Sequence, residues 1–259
     1  MVQFHCRYSF LAEKMTRTLP EKKSIDQVKK VILIGSGKGG VGKSTVSVNL
    51  AIAISKLNQK TGLLDADVYG PSIPTMLNIH KQDIKYENNR FIPPEINGLK
   101  VMSMGFLSKR AIVWRGLLVM KALQQLTRQV DWGELDYLII DLPPGTGDVH
   151  LSLIQTIPID GAILVSTPQR ISWDDVSKAA EMFKISNIPL LGYIVNMSKI
   201  ECPGCKCHFD LFPQFAPPRD MNCLGTVHFD TNLAQQCDHG SLIPNKDFIT
   251  IAQNLVNSS

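Results

Sequence analysis

The sequence predicts an α/β fold, a mostly parallel sheet with helices on both faces. Three observations carry that prediction. Short runs rich in Val, Ile and Leu alternate along the chain with segments whose apolar residues recur at helical spacing. The first such run is joined to the first helical segment by a glycine-rich loop. Two of the runs end in an acid, Asp65 and Asp141. Apolar runs that alternate with helical patterns are the mark of strands covered on both faces, as in βαβ units.

In chain order, residues 31–35 read as a buried strand and 43–57 as the helix that follows the glycine loop. Strands follow at 61–65, 99–104, 137–141, 162–166 and 190–195, with a short one at 224–227. Helices fall at 116–129, 150–156, 173–184 and 247–256, and Ser172 stands where it would cap the third of these. Two connections are long. Residues 68–98 hold Pro71, Pro74, Pro93 and Pro94, and residues 197–223 hold four cysteines and further prolines. Long loops inside a compact domain are usually functional or disordered. The organisation is a leader over residues 1–24 and a single domain over 25–259.

The chain has 259 residues, 44% hydrophobic and 19% charged, enough to bury a full core without staples. The net charge of +4 is too small to argue by itself for nucleic acid or a membrane surface, and neither is expected as a partner. No apolar run approaches the roughly 20 residues of a spanning helix, so no integral membrane segment is expected. The six cysteines form no compact disulfide framework. The first residues carry Arg7, Lys14 and Arg17 against one acid, Glu13, with aromatic residues between. That composition resembles a mitochondrial presequence, and a leader without a fold of its own fits it equally.

The glycine loop reads Gly37-Lys38-Gly39-Gly40-Val41-Gly42-Lys43-Ser44-Thr45, which fits the phosphate-binding pattern G-x-x-x-x-G-K-S/T. Glycines let backbone N–H groups close around phosphate oxygens, and the helix start adds partial positive charge. Lys43 can reach the β- and γ-phosphates, and the Ser44 hydroxyl can ligate Mg²⁺, a hard ion that favours oxygen. ATP with Mg²⁺ is the expected ligand. Lys38 is an addition to the ordinary pattern. K-G-G-x-G-K-S/T resembles the deviant Walker A ATPases of the MinD and nitrogenase-iron-protein class, in which this lysine reaches the nucleotide of a dimer partner.

Asp141 ends a strand run and is followed by Pro143-Pro144-Gly145-Thr146-Gly147, which fits a carboxylate that holds Mg²⁺ and a switch loop after it. Asp65 and Asp67 lie two apart and, in extended chain, on the same side. Together they can orient an attacking water and support the metal shell, or be a solvated loop pair. Asn196 ends another strand; its amide can read adenine or cap a loop.

Cys202-Pro203-Gly204-Cys205 admits three readings. A redox pair usually opens a helix, whereas here a proline-rich loop begins. A zinc knuckle needs four ligands, and Cys207 with His208 completes one on paper. An iron–sulfur site needs four thiolates, which two chains of a symmetric dimer supply from one pair each.

The motifs together resemble the Mrp/Nbp branch of the MinD-like deviant Walker A ATPases. Besides the glycine loop they are Asp67-Val68-Tyr69-Gly70-Pro71-Ser72, Met102-Ser103-Met104-Gly105-Phe106, Val113-Trp114-Arg115-Gly116-Leu117, and Asp141 through Asp148. Val165-Ser166-Thr167-Pro168-Gln169, Asn196-Met197-Ser198 and the cysteine pair complete the set. Arg128-Gln129-Val130-Asp131-Trp132-Gly133 and the basic leader make the chain most similar to mitochondrial members that carry clusters for respiratory complex I. The resemblance implies a homodimer in the mitochondrial matrix, or in the cytoplasm for other members, that hydrolyses ATP slowly and carries a labile 4Fe–4S cluster to apo proteins. It implies Lys38 on the partner's nucleotide, Lys43, Ser44 and Thr45 on phosphate and Mg²⁺, Asp67 beside Asp65 on the attacking water, and Cys202 with Cys205 on the cluster. The chain departs from the family over Cys207 to Cys223, which is shorter and proline-rich, and at Gly225-Thr226-Val227-His228, where relatives read Gly-x-Ile-Pro. A nucleotide-dependent scaffold or positioning switch without a cluster is the alternative.

Overall fold

The structure, a computed structural model, describes residues 22–107, 116–202, 204–213, 215–218 and 220–257. The predicted leader and Val113-Trp114-Arg115 therefore lie outside the described residues, apart from residues 22–24, as does Pro203 of the cysteine motif. The first half of the chain gives β1 (Val28–Gly35), α1 (Lys43–Lys56), β2 (Thr61–Asp65), α2 (Ile73–Met76), β3 (Lys85–Glu87), β4 (Arg90–Ile92), β5 (Glu95–Ile96) and β6 (Leu99–Ser103). Next come α3 (Met104–Leu107), α4 (Gly116–Arg128), β7 (Leu135–Asp141), α5 (Asp148–Thr156), β8 (Gly161–Ser166), α6 (Arg170–Ile185) and β9 (Leu190–Val195). The chain closes with β10 (Lys199–Glu201), β11 (His208–Asp210), β12 (Cys223–Thr226), α7 (Thr231–His239) and α8 (Lys246–Asn257).

Eight strands make one sheet in the order β12-β9-β8-β1-β7-β2-β6-β5. All neighbours are parallel except β5, which runs antiparallel to β6. From β1 the chain moves one way, to β2 and β6; from β7 it moves the other way, to β8 and β9. Right-handed crossovers then put α1 on one face and α6 on the other. The reversal places the ends of β1 and β7 at a topological switch point, where open α/β sheets bind ligands beyond the carboxyl ends of their strands.

Residues 31–34 and 138–141 are wholly buried, which is why they read as apolar runs. Residues 46–54 of α1 are likewise buried on every side, because that helix lies between the sheet and α8. Packing begins early in the chain. The Lys23 amide donates to the Thr156 carbonyl (3.1 Å), Arg128 donates to the carbonyls of Lys23, Ser24 and Thr156, and Ile25 joins the core.

The 68–98 connection is more ordered than its composition predicts. It holds α2, the β3–β4 hairpin and β5. Asn88 and Asn89 take φ of 50° and 63°, and Asn97 and Gly98 take 54° and 76°. Two successive left-handed residues make the two-residue turn whose twist matches a hairpin, and asparagine and glycine enter that region at least cost. The second long connection also folds, since β10 and β11 pair antiparallel through Ile200 and Phe209. Helix α7 is absent from the sequence prediction because only Leu233 and Cys237 of it are buried. Its ends are nevertheless marked: Asp230 accepts the Asn232 amide (2.8 Å) and Gly240 closes the helix at φ 68°.

Candidate nucleotide site and cysteine hairpin

Between β1 and α1 the chain turns through two left-handed glycines, Gly40 (φ 81°) and Gly42 (φ 77°). Gly42 immediately precedes α1, and a Cβ there would lie 2.3 Å from the Asn196 amide nitrogen. Both conformation and space therefore demand glycine. Asn196 donates its amide to the Val41 carbonyl (2.9 Å), so it supports the loop from behind. Thr45, at the start of α1, lies beside Cys237 of α7, whose thiol pKa is raised by burial.

Lys43 is buried, with its ammonium 2.8 Å from a carboxylate oxygen of Asp141, which is itself wholly buried. The Ser44 hydroxyl donates to Asp141 Oδ2 (2.6 Å) and the Ser47 hydroxyl to Asp141 Oδ1 (2.6 Å). β1 and β7 are adjacent, with Ile34 opposite Asp141, so the sheet register sets this cluster. A hydroxyl and a carboxylate together suit a hard, oxygen-seeking cation such as Mg²⁺. A cleft of about 220 Å³ opens above them, lined among others by Lys38, Lys43, Ser44, Asp67, Ser72 and Pro144. The half-buried Lys38 is on its rim.

The two acids after β2 separate. The strand ends at Asp65, so the alternation that would put Asp65 and Asp67 on one side does not continue. Asp65 is wholly buried and accepts the Ser103 hydroxyl (2.9 Å) and the amides of Asp67 (3.1 Å) and Ile73 (3.3 Å). Burial, and next the Asp141 carboxylate, push its pKa up to about 7. Asp65 thus shapes the turn that presents Asp67 and does not itself line the cleft. Asp67 borders the cleft and is steadied by the amides of Tyr69 and Gly70 (3.1 Å each). Across the cleft, the Gly145 amide donates to the Ser36 carbonyl (3.0 Å) and ties the loop after Asp141 to the glycine loop.

The cysteines occupy the turn of the β10–β11 hairpin. The Cys202 amide donates to the Cys207 carbonyl and the Lys206 amide to the Cys202 carbonyl (2.9 Å each), with Lys206 at φ 61°. Cys202 is half-buried, and Cys205 and Cys207 are exposed. The backbone of Cys207, then the thiols of Cys202 and Cys207, hold the Cys205 thiol below its ordinary pKa. Beside the hairpin, His208 and His228 set their rings 5.6 Å apart, and His228 Nδ1 lies 2.9 Å from Asp247. Among the described residues no three Cys, His, Asp or Glu side chains gather into a metal site.

The family profile described as ParA, NUBPL iron-transfer P-loop NTPase, matches residues 27–257. The chain belongs to that family. The mouse iron–sulfur cluster transfer protein NUBPL is 48% identical over 235 residues, which are 87% of this chain and 74% of the mouse protein. An Arabidopsis thaliana iron–sulfur protein required for NADH dehydrogenase, mitochondrial, is 40% identical over 88% of this chain and 78% of its own length. Among solved structures, the nucleotide-binding protein of Archaeoglobus fulgidus in complex with ADP superposes with a TM-score of 0.77 at 36% identity, covering 86% of this chain and 92% of that one. MinD of Pyrococcus horikoshii with Mg-ADP shares the fold, with a TM-score of 0.61 at 22% identity over 88% of this chain and 96% of its own.

As a member of the NUBPL family the chain is a P-loop NTPase, and its glycine loop lies between a buried strand, β1, and a helix, α1. Three residues of the site were not read from the sequence. Ser47 shares Asp141 with Ser44, and its place one helical turn after Lys43 was the available signal. Ser103 holds Asp65 from the end of β6, and Ser36 anchors the second loop through its carbonyl. Neither carries a local pattern, because the contacts are made between strands far apart in sequence. Among the described residues no helix is long and apolar enough to cross a membrane.

Proposed function

We propose that this protein is an ATP-dependent iron–sulfur cluster carrier. It works as a homodimer in the mitochondrial matrix and passes 4Fe–4S clusters to apo proteins of respiratory complex I. The observation that carries the reading is the pairing, in one chain, of a glycine loop whose Lys43 and Ser44 meet Asp141 with a cysteine hairpin whose Cys205 and Cys207 are exposed. The names of the mouse and Arabidopsis relatives support cluster transfer and the link to NADH dehydrogenase.

In this reading the loop amides of residues 37–45 cradle the phosphates, and Lys43 leaves Asp141 for the β- and γ-phosphates. Ser44 and Asp141 hold Mg²⁺, which offsets phosphate charge. Asp67, kept in place by the turn built on Asp65, orients the attacking water. Lys38 reaches the partner's nucleotide and stabilises charge on its γ-phosphate, so turnover is slow and needs the dimer. Asn196, already braced on Val41, meets the adenine. The cluster is cargo: Cys202 and Cys205 of each chain give four thiolates at the dimer axis, where movement of the subunits can release it. The leader directs import, and a reporter fused to residues 1–24 that stays in the cytosol would argue for the cytoplasmic branch.

Anaerobic reconstitution with iron and sulfide tests the cargo. The expected result is about four irons per dimer, as a shared four-thiolate cluster requires. Cys202→Ala and Cys205→Ala each abolish binding, and Cys207→Ala retains it. One zinc per monomer, lost in Cys207→Ala, overturns the carrier reading in favour of a zinc knuckle.

A further inference from the structure

His150 stands in the first turn of α5, directly after the loop that follows Asp141. Only 1% of its surface is exposed, and neither ring nitrogen makes a hydrogen bond of good geometry among the described residues; the Gly147 carbonyl lies near enough to the ring to oppose the fall in its pKa without satisfying it. Burial, and then the positive charge of Lys43, push its pKa down to about 4, so the ring is neutral at ordinary pH. A neutral imidazole carries one donor and one acceptor. Leaving both unmet inside a protein costs stability, and native structures seldom tolerate it without a reason.

The position supplies the reason. His150 lines a cleft of about 970 Å³ together with Asp67, Pro143, Pro144 and Gly147. Asp67 and Pro144 also border the phosphate cleft, so the two spaces share a wall. Pro144 belongs to the loop whose Gly145 amide is tied to Ser36 of the glycine loop, and whose Gly147 carbonyl accepts the His150 amide (3.1 Å). A shift of the glycine loop around phosphate would be passed through the Ser36 bond to Gly145, which stands three residues before the start of α5.

We propose that His150 is a positioning residue of the hydrolysis cycle: its imidazole gains a hydrogen-bond partner when the 142–147 loop takes up its ATP-bound arrangement, and so favours that arrangement. The inference rests on the ATPase reading above. A ligand shifts such an equilibrium only through a free-energy difference between the two arrangements, and the unmet imidazole is a source of one. The residue acts through the loop, with no contact to the reacting atoms.

The test compares the parent with His150→Phe and His150→Gln, using Mg-AMP-PNP as the probe of the bound state. Phenylalanine fills the space without polar atoms, so His150→Phe melts a few degrees higher than the parent without nucleotide. Its stabilisation by Mg-AMP-PNP shrinks, and its kcat falls about tenfold at nearly unchanged KM, which corresponds to about 1.4 kcal/mol. His150→Gln, which keeps a donor and an acceptor, restores most of both. A side chain that merely packs predicts melting and turnover changing in the same direction. Parental turnover with an undiminished AMP-PNP shift in His150→Phe overturns the proposal, as does a lower melting temperature without nucleotide. If the parent binds Mg-AMP-PNP and hydrolyses no ATP, the ATPase reading fails by itself and the melting shifts still decide the role of His150.

Discussion

At the scale of single residues, the site is a set of buried charges kept in balance. Lys43 neutralises Asp141, and two serine hydroxyls satisfy the carboxylate further. Asp65 forms no ion pair among the described residues, and burial, then the Asp141 carboxylate, raise its pKa from the ordinary 3.8 to about 7, so its carboxyl takes up a proton readily in the fold. For an acid with a raised folded pKa, the native state binds the extra proton between those two values. Stability then falls as pH rises from about 4 to 7. The variant Asp65→Asn cannot ionise, so its melting temperature relative to the parent should improve steadily between about pH 4 and pH 7 and level off above that. A difference that stays flat over that range would show that Asp65 is ionised without penalty. Asp65 also marks the limit of what a local pattern shows. Its spacing from Asp67 was legible, but its partner Ser103 comes from a neighbouring strand.

At the scale of elements, the long strands and helices were legible because each has a buried face or two, written as apolar periodicity. The short hairpins were not, since their strands span two or three residues and β3 is wholly exposed. Their turns carried the signal instead, in Asn88-Asn89 and Asn97-Gly98. The β10–β11 hairpin has no such dipeptide, and its six-residue turn was visible only as a cysteine-rich loop. That turn has a chemical consequence. The amide of Cys207 and the neighbouring thiols favour the thiolate of Cys205. Alkylation of Cys205 by iodoacetamide, followed by peptide mass spectrometry, should therefore persist at a lower pH than alkylation of an unstructured cysteine peptide. Coincident pH profiles would mean that the hairpin leaves this thiol unperturbed.

At the scale of the whole molecule, the reversal of strand order at β1 and β7 was implicit in the alternation of elements, but the order itself was not. It gathers Lys43, Asp67 and Asp141 from three strand ends at one edge of the fold. Lys38 is half-buried and lines the same cleft as Lys43 and Asp67. If it serves a second subunit, Lys38→Ala should bind ATP as the parent does and lose turnover. Mixing it with an Asp67→Asn variant, which lacks the acid proposed to orient the water, should restore part of the rate. ATPase rate per chain that stays constant on dilution through the monomer–dimer transition, measured beside light scattering, would rule out action across subunits.

The borders of the sheet bear on how two such subunits can meet. One border is β5, two residues long and reversed in direction; the other is β12, four residues long. Strands this short present few unpaired amides and carbonyls, which is how natural sheets discourage edge-to-edge association. Joining two sheets into one continuous ribbon is therefore disfavoured at either side. The proposed dimer would then meet by other surfaces, an approach toward the carboxyl tips of the strands among them. An approach of that kind would set the two phosphate clefts toward each other and leave the short edge strands uninvolved.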